Sequence, residues 1–332
     1  MNPEFVKLLC CPQTRQPLRL EIHEASESGM IITGVLSSED GREYPIVRGI
    51  PRFVDQEQYS GSFGFEWSRW PRVQFEDENV GKPMEGHTSN MWRTITQVSS
   101  EQIEGKTIVE FGCGPGRFLD IVRSQGGLAV GIDMSVAVEA ARKNFADDPN
   151  VLIVQGDILR PPFRSGVFDG GYSIGVLHHT PEPTQGLRSL VDCVANGGWV
   201  AACVYPEGEF YDYRSVERFR TLHNALSPRF GFRPALWYSF FSAYFLTPLF
   251  RKLKKIPGLR QLLRFGERHW FVCLDLPDAR WRVLDIFDAI TPAIATTHTG
   301  AEVDQWLQSA GCEHITVTPW CTTSFAAQRK AA

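Results

Sequence analysis

The sequence has no large excess of charge of either sign. It contains 34 Lys and Arg against 38 Asp and Glu, which gives a formal net charge of −4 at pH 7. Proteins that bind nucleic acid through much of their surface carry clustered positive charge and a high pI. The near balance argues against a nucleic-acid substrate, and we expect none, although it leaves room for a local basic patch.

Regularly spaced cysteines are also missing. The eight cysteines lie mostly inside apolar stretches, which indicates buried thiols in a reducing compartment rather than a disulfide framework. The N-terminus lacks the basic region and apolar core of a signal peptide. We therefore expect a cytoplasmic protein.

No apolar run reaches the roughly 20 residues of a membrane span. The most apolar stretch, 234–250, is bounded by Pro234 and Pro248 and followed by basic residues at 251–255. Its aromatic residues recur with helical spacing at Trp237, Phe240, Phe241, Tyr244 and Phe245. This spacing favours packing in a core or in a homodimer contact. A hydrophobic substrate channel is the first alternative, and a helix lying on a membrane surface is the second.

The order of patterns along the chain predicts several units. Short β-like runs at 30–36 and 44–47, with turn residues between them, predict a hairpin. Aromatic residues then dominate, and Phe63, Phe65 and Trp67 either form a lid that keeps water from a reacting centre or pack between units. We divide the chain into an N-terminal β unit (1–58), a lid or linker (59–100), a cofactor-binding core (101–204), a helical substrate-binding insertion (205–297) and a C-terminal return to the core (298–332).

Strands and helices alternate regularly from residue 106 onward. Apolar runs predict strands at 107–111, 128–133, 151–154, 167–174 and 199–204. Helical patterns fall between them, and a further helix and strand are predicted at 302–310 and 315–317, with a last strand near Cys321. This alternation predicts an α/β fold with a doubly wound, Rossmann-like sheet. The insertion follows the fifth strand, at the carboxyl edge where such folds bind ligands.

A glycine-rich loop follows the first of these strands. Gly112, Gly114 and Gly116 allow a sharp turn and a close approach of a ligand to the backbone. Glu110 precedes the loop, Asp133 closes the second strand and Asp157 follows the third. Asp133 is placed to accept hydrogen bonds from ribose hydroxyls, and Asp157 from an adenine amino group.

A tight strand-to-helix turn would explain the loop alone. A nicotinamide-dependent oxidoreductase is the stronger alternative, because it also places an acid about 20 residues after such a loop. The G-x-G-x-G spacing and the acids at three successive strand ends favour S-adenosylmethionine (SAM) instead.

The segments 109–118 (VEFGCGPGRF), 131–133 (GID) and 173–179 (SIGVLHH) resemble the class I SAM-dependent methyltransferases. The resemblance implies a seven-stranded sheet with SAM as the cofactor, with glycines at its methionine part, Asp133 at the ribose, and Asp157 with Ile158 at the adenine. Arg93 is a candidate partner of the cofactor carboxylate, or else a solvated helix residue. The full set of expected cofactor contacts is Arg93, Glu110, Gly112, Cys113, Gly114, Gly116, Asp133, Met134, Asp157, Ile158 and Ser173.

The N-terminal unit carries a second resemblance. Residues 8–12 and 41–51 resemble the small zinc-ribbon domain that activates some tRNA and translation-factor methyltransferases and also precedes small-molecule methyltransferases. A structural zinc site needs four ligands, usually two Cys pairs. Here Cys10 and Cys11 are adjacent and Thr14 stands where a further ligand would be expected. We expect a degenerate, metal-free ribbon that serves packing or dimerisation.

Methyl transfer from a sulfonium needs orientation and a dry site, and for some acceptors a base. His178 and His179 follow the fourth strand and are candidate bases, the alternative being a hydrogen bond that orders the loop. Tyr205 and Arg214 begin the insertion and are candidate substrate contacts. We expect a small-molecule acceptor: a sugar, polyketide, terpenoid or lipid-linked intermediate, methylated at oxygen, nitrogen or carbon. A nicotinamide-dependent oxidoreductase and a catalytically silent cofactor-binding partner protein stay open as alternatives.

Overall fold

The computed structural model describes residues 1–54, 60–146 and 148–331. Its N-terminal unit is an antiparallel sheet of four strands in sequential order, β1 (Arg19–Ala25), β2 (Ile31–Ser37), β3 (Glu43–Val47) and β4 (Ile50–Pro51). Strands β2 and β3 pair from Ser37 opposite Glu43 to Thr33 opposite Val47, so the predicted hairpin is confirmed.

The N-terminal unit packs on the main domain through a shared apolar core. Leu9, Ile31 and Leu36 are buried in one cluster with Val130 and Leu152 of the main sheet. Cys10 and Cys11 are buried thiols. Within the described ranges, no three His, Cys, Asp or Glu side chains gather in a way that could hold a metal ion.

The main domain is built on a seven-stranded sheet. Its strands are β5 (Thr107–Phe111), β6 (Leu128–Asp133), β7 (Val151–Gln155), β8 (Phe168–Ile174), β9 (Val194–Cys203), β10 (Cys312–Val317) and β11 (Ser324–Arg329). The spatial order is β10-β11-β9-β8-β5-β6-β7, and every pair is parallel except those of β11 with β9 and with β10. The predicted doubly wound sheet is confirmed. Its strand order reverses between β5 and β8, where such folds have a crevice.

Eleven α-helices are assigned within the described ranges: α1 (Gly61–Arg69), α2 (His87–Thr96), α3 (Arg117–Ser124), α4 (Ala137–Phe145), α5 (Pro183–Cys193), α6 (Arg214–Phe230), α7 (Arg233–Phe241), α8 (Thr247–Leu253), α9 (Leu259–His269), α10 (Ala279–Ile290) and α11 (Gly300–Ser309). Helix α1 begins the predicted lid segment, whose first residue, Tyr59, lies outside the described ranges. A π-helical turn, Ser242–Leu246, joins α7 to α8. Helices α6 to α10 form the insertion between β9 and the C-terminal strands.

The aromatic run of the insertion is more exposed than predicted. Phe241 is half-buried, but Trp237, Phe240, Tyr244 and Phe245 are exposed, with Trp237 68% and Phe245 67% accessible. The insertion's core is built instead from other faces of these helices, through residues such as Ala235, Ala243, Ile286 and Phe287. Of the two kinds of packing predicted for the run, in the core or in a homodimer contact, core packing is therefore wrong for these four side chains. In the described part of the chain, no helix is both long enough and apolar enough to cross a membrane.

Candidate active site

A cavity of about 360 Å³ lies at the switch point of the sheet. The loops after β5, β6, β8 and β9 form one side, and α1 and α10 form the other. The predicted site residues that line it are Glu110, Gly112, Cys113, Gly114, Asp133, Met134, Ile158, His179 and Tyr205. The volume is within the range of small-molecule sites.

The glycines of the loop are required by the backbone and by close neighbours. Gly112 and Gly116 have φ of +76° and +93°, which side-chain-bearing residues rarely adopt. A methyl group at Gly112 would approach Val176 to 2.4 Å, and one at Gly116 would approach the ring of Phe145 to 2.4 Å. Gly112 therefore lets the loop pack closely on Val176, whereas Gly116 lets the start of α3 pack against Phe145 of α4.

Asp133 connects the end of β6 to the glycine loop. One carboxylate oxygen accepts the Gly114 N–H at 2.9 Å, and the other accepts the Ser135 N–H at 2.8 Å and its hydroxyl at 2.7 Å. Burial raises the pKa of Asp133, and these hydrogen bonds oppose that rise. The side chain thus holds the loop in place while it lines the cavity.

Glu110 lies at the floor of the cavity and is 2% exposed. The Tyr172 hydroxyl donates to its Oε2 at 3.2 Å. Burial raises the pKa of Glu110 well above its ordinary value. A neutral Glu110 would also be able to donate a hydrogen bond into the cavity.

Besides Gly116 and His178, four predicted site residues do not line the cavity. Arg93 is exposed on α2, and Arg214 is exposed at the start of α6. The Asp157 carboxylate accepts the Leu159 N–H at 2.9 Å in a local turn, while its neighbour Ile158 lines the cavity. The buried hydroxyl of Ser173 donates to the Phe111 carbonyl oxygen at 3.1 Å, which ties β8 to β5. The structure gives these side chains local partners or solvent in place of the expected cavity contacts.

Arg117 lines the cavity and was not among the predicted residues. It is the first residue of α3, and no carboxylate of the described chain lies within hydrogen-bond distance of it. Burial lowers the pKa of Arg117, and Asp285, Glu110 and Asp288 oppose that change. A cation at a helix N-terminus is unfavourable for the helix dipole. This mismatch was the sequence signal that could have identified it.

Three carboxylates from distant parts of the chain meet on the opposite wall. Glu66 comes from α1, and Asp285 and Asp288 come from α10. Glu66 is fully buried, and neither of its carboxylate oxygens has a hydrogen-bond partner within the described residues. Its pKa is raised well above the ordinary value by burial and by the two aspartates. Burial and Asp288 raise the pKa of Asp285 to about 7.

The two histidines after β8 have different surroundings. His179 lines the cavity, contacts the ring of Phe63 with centroids 4.9 Å apart, and has Nδ1 2.8 Å from the Ile294 carbonyl oxygen. His178 accepts the Tyr205 N–H on Nδ1 at 3.3 Å and is not part of the cavity wall. Burial lowers the pKa of both rings. Both are therefore neutral near pH 7, and the loop-ordering alternative describes His178.

Aromatic side chains complete the wall. The Tyr205 hydroxyl donates to Asp288 at 2.6 Å, and its ring stacks on Tyr211 at 3.5 Å between centroids. Phe63 and Trp67 of α1 line the cavity, as expected of a lid. Phe65 points into the insertion, where its ring lies 4.8 Å from that of Phe232.

The strand order and the cavity at its switch point define a doubly wound α/β protein with a ligand-sized crevice. Residues 109–202 match the family model described as a methyltransferase domain. This part of the chain is therefore a methyltransferase domain, and the expected class I, SAM-dependent type is confirmed.

Comparison with whole proteins covers only parts of the relatives. The chain is similar to the demethylmenaquinone methyltransferase of Corynebacterium kroppenstedtii, with 28% identity over 120 residues, which is 36% of this chain and 51% of the relative. It is also similar to a tRNA U34 carboxymethyltransferase of Enterobacter sp. (strain 638), with 34% identity over 134 residues, or 39% and 41% of the two chains. The chain thus spans about half or less of these relatives.

Among solved structures, a complex between the Haloferax volcanii Trm112 methyltransferase activator and a methyltransferase aligns over 81% of this chain and 98% of that chain. The identity is 14% and the TM-score 0.46.

Proposed function

We propose that the protein transfers a methyl group from SAM to a small-molecule acceptor bound in the switch-point cavity. The observation that carries the proposal is that one cavity is lined both by the glycine loop with Asp133 and by a neutral His179, whose Nε2 has no partner among the described residues. The glycine loop and Asp133 suit a nucleoside cofactor. His179 suits removal of a proton from an acceptor. When bound, SAM would supply an activated methyl group.

The strand ends β5 and β6 are the proposed cofactor side. A side chain at Gly112 would overlap Val176, so glycine is needed where the loop packs on this residue, and Asp133 lines the same cavity. Met134 and Ile158 give it an apolar border. We assign the cofactor carboxylate to Arg117 rather than Arg93, because Arg117 is the guanidinium in the cavity wall.

His179 is the proposed base. A carbonyl oxygen only accepts, so Nδ1 donates to Ile294 and a neutral ring leaves a lone pair on Nε2. Nε2 is buried and has no partner among the residues that the structure describes. It can therefore take a proton from an acceptor hydroxyl or amine as the methyl group is transferred.

The acidic wall favours an acceptor that donates hydrogen bonds. Glu66, Asp285 and Asp288 line the cavity. Hydroxyl and amino groups satisfy carboxyl oxygens, whereas phosphates would be repelled by the ionised forms. This argues for a polyhydroxylated or amine-bearing small molecule. It also argues against an RNA acceptor, the alternative that the tRNA-acting relative raises.

The proposal is tested by following the methyl group. The full-length protein is incubated with methyl-labelled SAM and with separate small-molecule, lipid, RNA and protein fractions of a cell extract. We expect label in the small-molecule fraction and none with Asp133→Ala. Label in RNA or protein would contradict the acceptor class. Absence of transfer to every fraction, together with binding of the cofactor, would favour a silent cofactor-binding protein.

A further inference from the structure

Exposed apolar side chains are concentrated on one part of the insertion. Of the 17 large hydrophobic residues that are exposed in the described chain, ten lie between 237 and 271. We call these ten residues, together with the exposed basic residues Lys252, Lys255, Arg260 and Arg264, the outer helical surface. The ten are Trp237, Phe240, Tyr244, Phe245, Leu249, Ile256, Leu262, Phe265, Trp270 and Phe271. Soluble monomers rarely expose so many large apolar groups in one region without a partner.

The same region carries a strong positive charge. Residues 229–270 contain nine Lys and Arg and one carboxylate, Glu267, although the whole chain has more acids than bases. Glu267 is already bound by Lys254 at 2.6 Å. The exposed basic residues without a carboxylate partner in the described structure include Lys252, Lys255, Arg260 and Arg264.

The helices themselves are suited to lying on an interface. Helix α9 has no buried residue and alternates Leu259, Leu262 and Leu263 with basic side chains at helical spacing. The last turn of helix α8 contains the basic pair Arg251 and Lys252, close to exposed Leu249. A helix with an apolar face and a Lys/Arg-rich polar face binds in the plane of an anionic membrane surface.

We propose that the outer helical surface docks on an anionic lipid surface. Trp237 and Tyr244 would sit at the headgroup level, where amphipathic aromatic rings are favoured, and Phe245 and Leu249 would enter the apolar layer. Lys and Arg would contact the acidic headgroups while their aliphatic stems lie along the apolar region.

Charge complementarity separates this partner from the two rivals. A second copy of the chain would bring two basic surfaces together, which is repulsive. RNA would satisfy the positive charge and stack on the aromatic rings, but exposed Leu249, Ile256 and Leu262 would gain little from it. An anionic bilayer satisfies both the charge and the aliphatic groups.

Docking at this surface would leave the active-site cavity intact. Helix α10 packs its Val283 and Ile286 in the core that underlies α7, while its Asp285 and Asp288 line the cavity. The exposed residues of the outer helical surface do not line the cavity. Variants at this surface can therefore be tested with cofactor binding as an independent measure of folding.

The test is co-sedimentation of the full-length protein with vesicles. One set contains phosphatidylcholine alone and the other phosphatidylcholine with phosphatidylglycerol, at low and high salt. We expect binding to the anionic vesicles only, weakened by salt. We expect Lys252→Gln/Lys255→Gln and Trp237→Ser/Phe245→Ser each to lower the affinity by about tenfold or more. The matched control is Arg93→Gln/Val317→Ser, which removes an exposed cation and an exposed apolar group elsewhere.

Three results would overturn the proposal. The first is equal binding of neutral and anionic vesicles, or unchanged binding by both surface variants. The second is a dimer by analytical ultracentrifugation that Trp237→Ser/Phe245→Ser converts to monomer, with no vesicle binding. The third is binding of a mixed-sequence RNA in place of anionic vesicles. Unchanged adenosylhomocysteine affinity would confirm that the variants are folded.

Discussion

Nδ1 of His179 lies 2.8 Å from the carbonyl oxygen of Ile294, and this contact fixes the tautomer of the ring. The proton must be on Nδ1, so the lone pair is on Nε2, which is buried and has no partner among the described residues. In His178 the order is reversed, because Nδ1 accepts the Tyr205 N–H. The two adjacent histidines are therefore opposite tautomers, with the proton on Nδ1 in His179 and on Nε2 in His178. Only His179 lines the cavity.

Replacing each histidine separates catalysis from stability. We expect His179→Ala to lower kcat by about 100-fold or more, the usual contribution of a general base, with adenosylhomocysteine affinity little changed. We expect His178→Ala to lower the free energy of unfolding by about 1–3 kcal/mol, because the buried Tyr205 N–H loses its acceptor. Steady-state kinetics of both variants measure kcat, and urea unfolding measures their free energy of unfolding. An unchanged kcat in His179→Ala would show that His179 is not the general base.

Arg117 and Arg93 make a matched pair for the cofactor carboxylate. We expect Arg117→Gln to weaken adenosylhomocysteine binding by about 10- to 100-fold, as expected for loss of a charged hydrogen bond. Adenosine lacks the carboxylate, so its affinity should stay the same. Arg93→Gln should change neither affinity, because Arg93 is exposed away from the cavity. Calorimetric titrations of both ligands decide the point, and an equal loss for adenosine would show that Arg117 acts on the fold instead.

Asp285 gives a pH dependence of stability. Its pKa rises from 3.8 in the unfolded chain to about 7 in the folded chain, because of burial and Asp288. The folded state holds the proton more tightly, so the stability that Asp285 contributes is fully present below about pH 4 and is lost as pH rises through 7. The Asp285→Asn variant has no ionisable side chain at this position, so it lacks this pH dependence. We expect it to be more stable than the parent by about 1–3 kcal/mol above pH 7, since Asp285 is only partly screened by cavity water.

The measurement for Asp285 is urea unfolding of both proteins across this pH range. The difference in free energy of unfolding should grow with pH and vanish at the acidic end. Glu39→Gln is the control, since it makes the same carboxyl-to-amide change at an exposed position. A difference between Asp285→Asn and the parent that does not vary with pH would contradict the assignment.

Gly116 tests the packing of the loop against α4. Both Gly116 and Gly166 have positive φ, of +93° and +68°, but only Gly116 has a close neighbour, the ring of Phe145. We expect Gly166→Ala to cost about 1–2 kcal/mol from backbone strain alone. Gly116→Ala should cost about 1–3 kcal/mol more from the clash. Urea unfolding measures both, and Gly116→Ala/Phe145→Leu should recover part of the difference; equal costs for the two glycines would refute the clash.

The sequence predicted the core strands well because they are buried and continuous. The runs at 107–111 and 128–133 coincide with β5 and β6, where apolar side chains face both layers. It also predicted the glycine loop and the position of Asp133, because a turn and a strand end are local features of the sequence. The N-terminal hairpin followed from its turn residues.

Contacts between segments far apart in the chain could not be predicted from local sequence patterns. Glu66 and Asp285 belong to different helices far apart in the chain, and only the fold gathers them around Arg117. The helical spacing of Trp237, Phe240 and Phe245 was read correctly as a helix, but spacing does not say whether a neighbour covers it. The positions of Arg93 and Asp157 beside predicted strands do not determine their side-chain contacts: Arg93 is exposed, and Asp157 accepts a local hydrogen bond from Leu159.

Isothermal titration of the protein with adenosylhomocysteine and, separately, with NAD tests whether the glycine loop binds SAM. We expect one molar equivalent of adenosylhomocysteine bound, loss of that binding in Asp133→Ala, and no heat from NAD. Binding of NAD without binding of adenosylhomocysteine would contradict this expectation and assign the glycine loop to a dinucleotide.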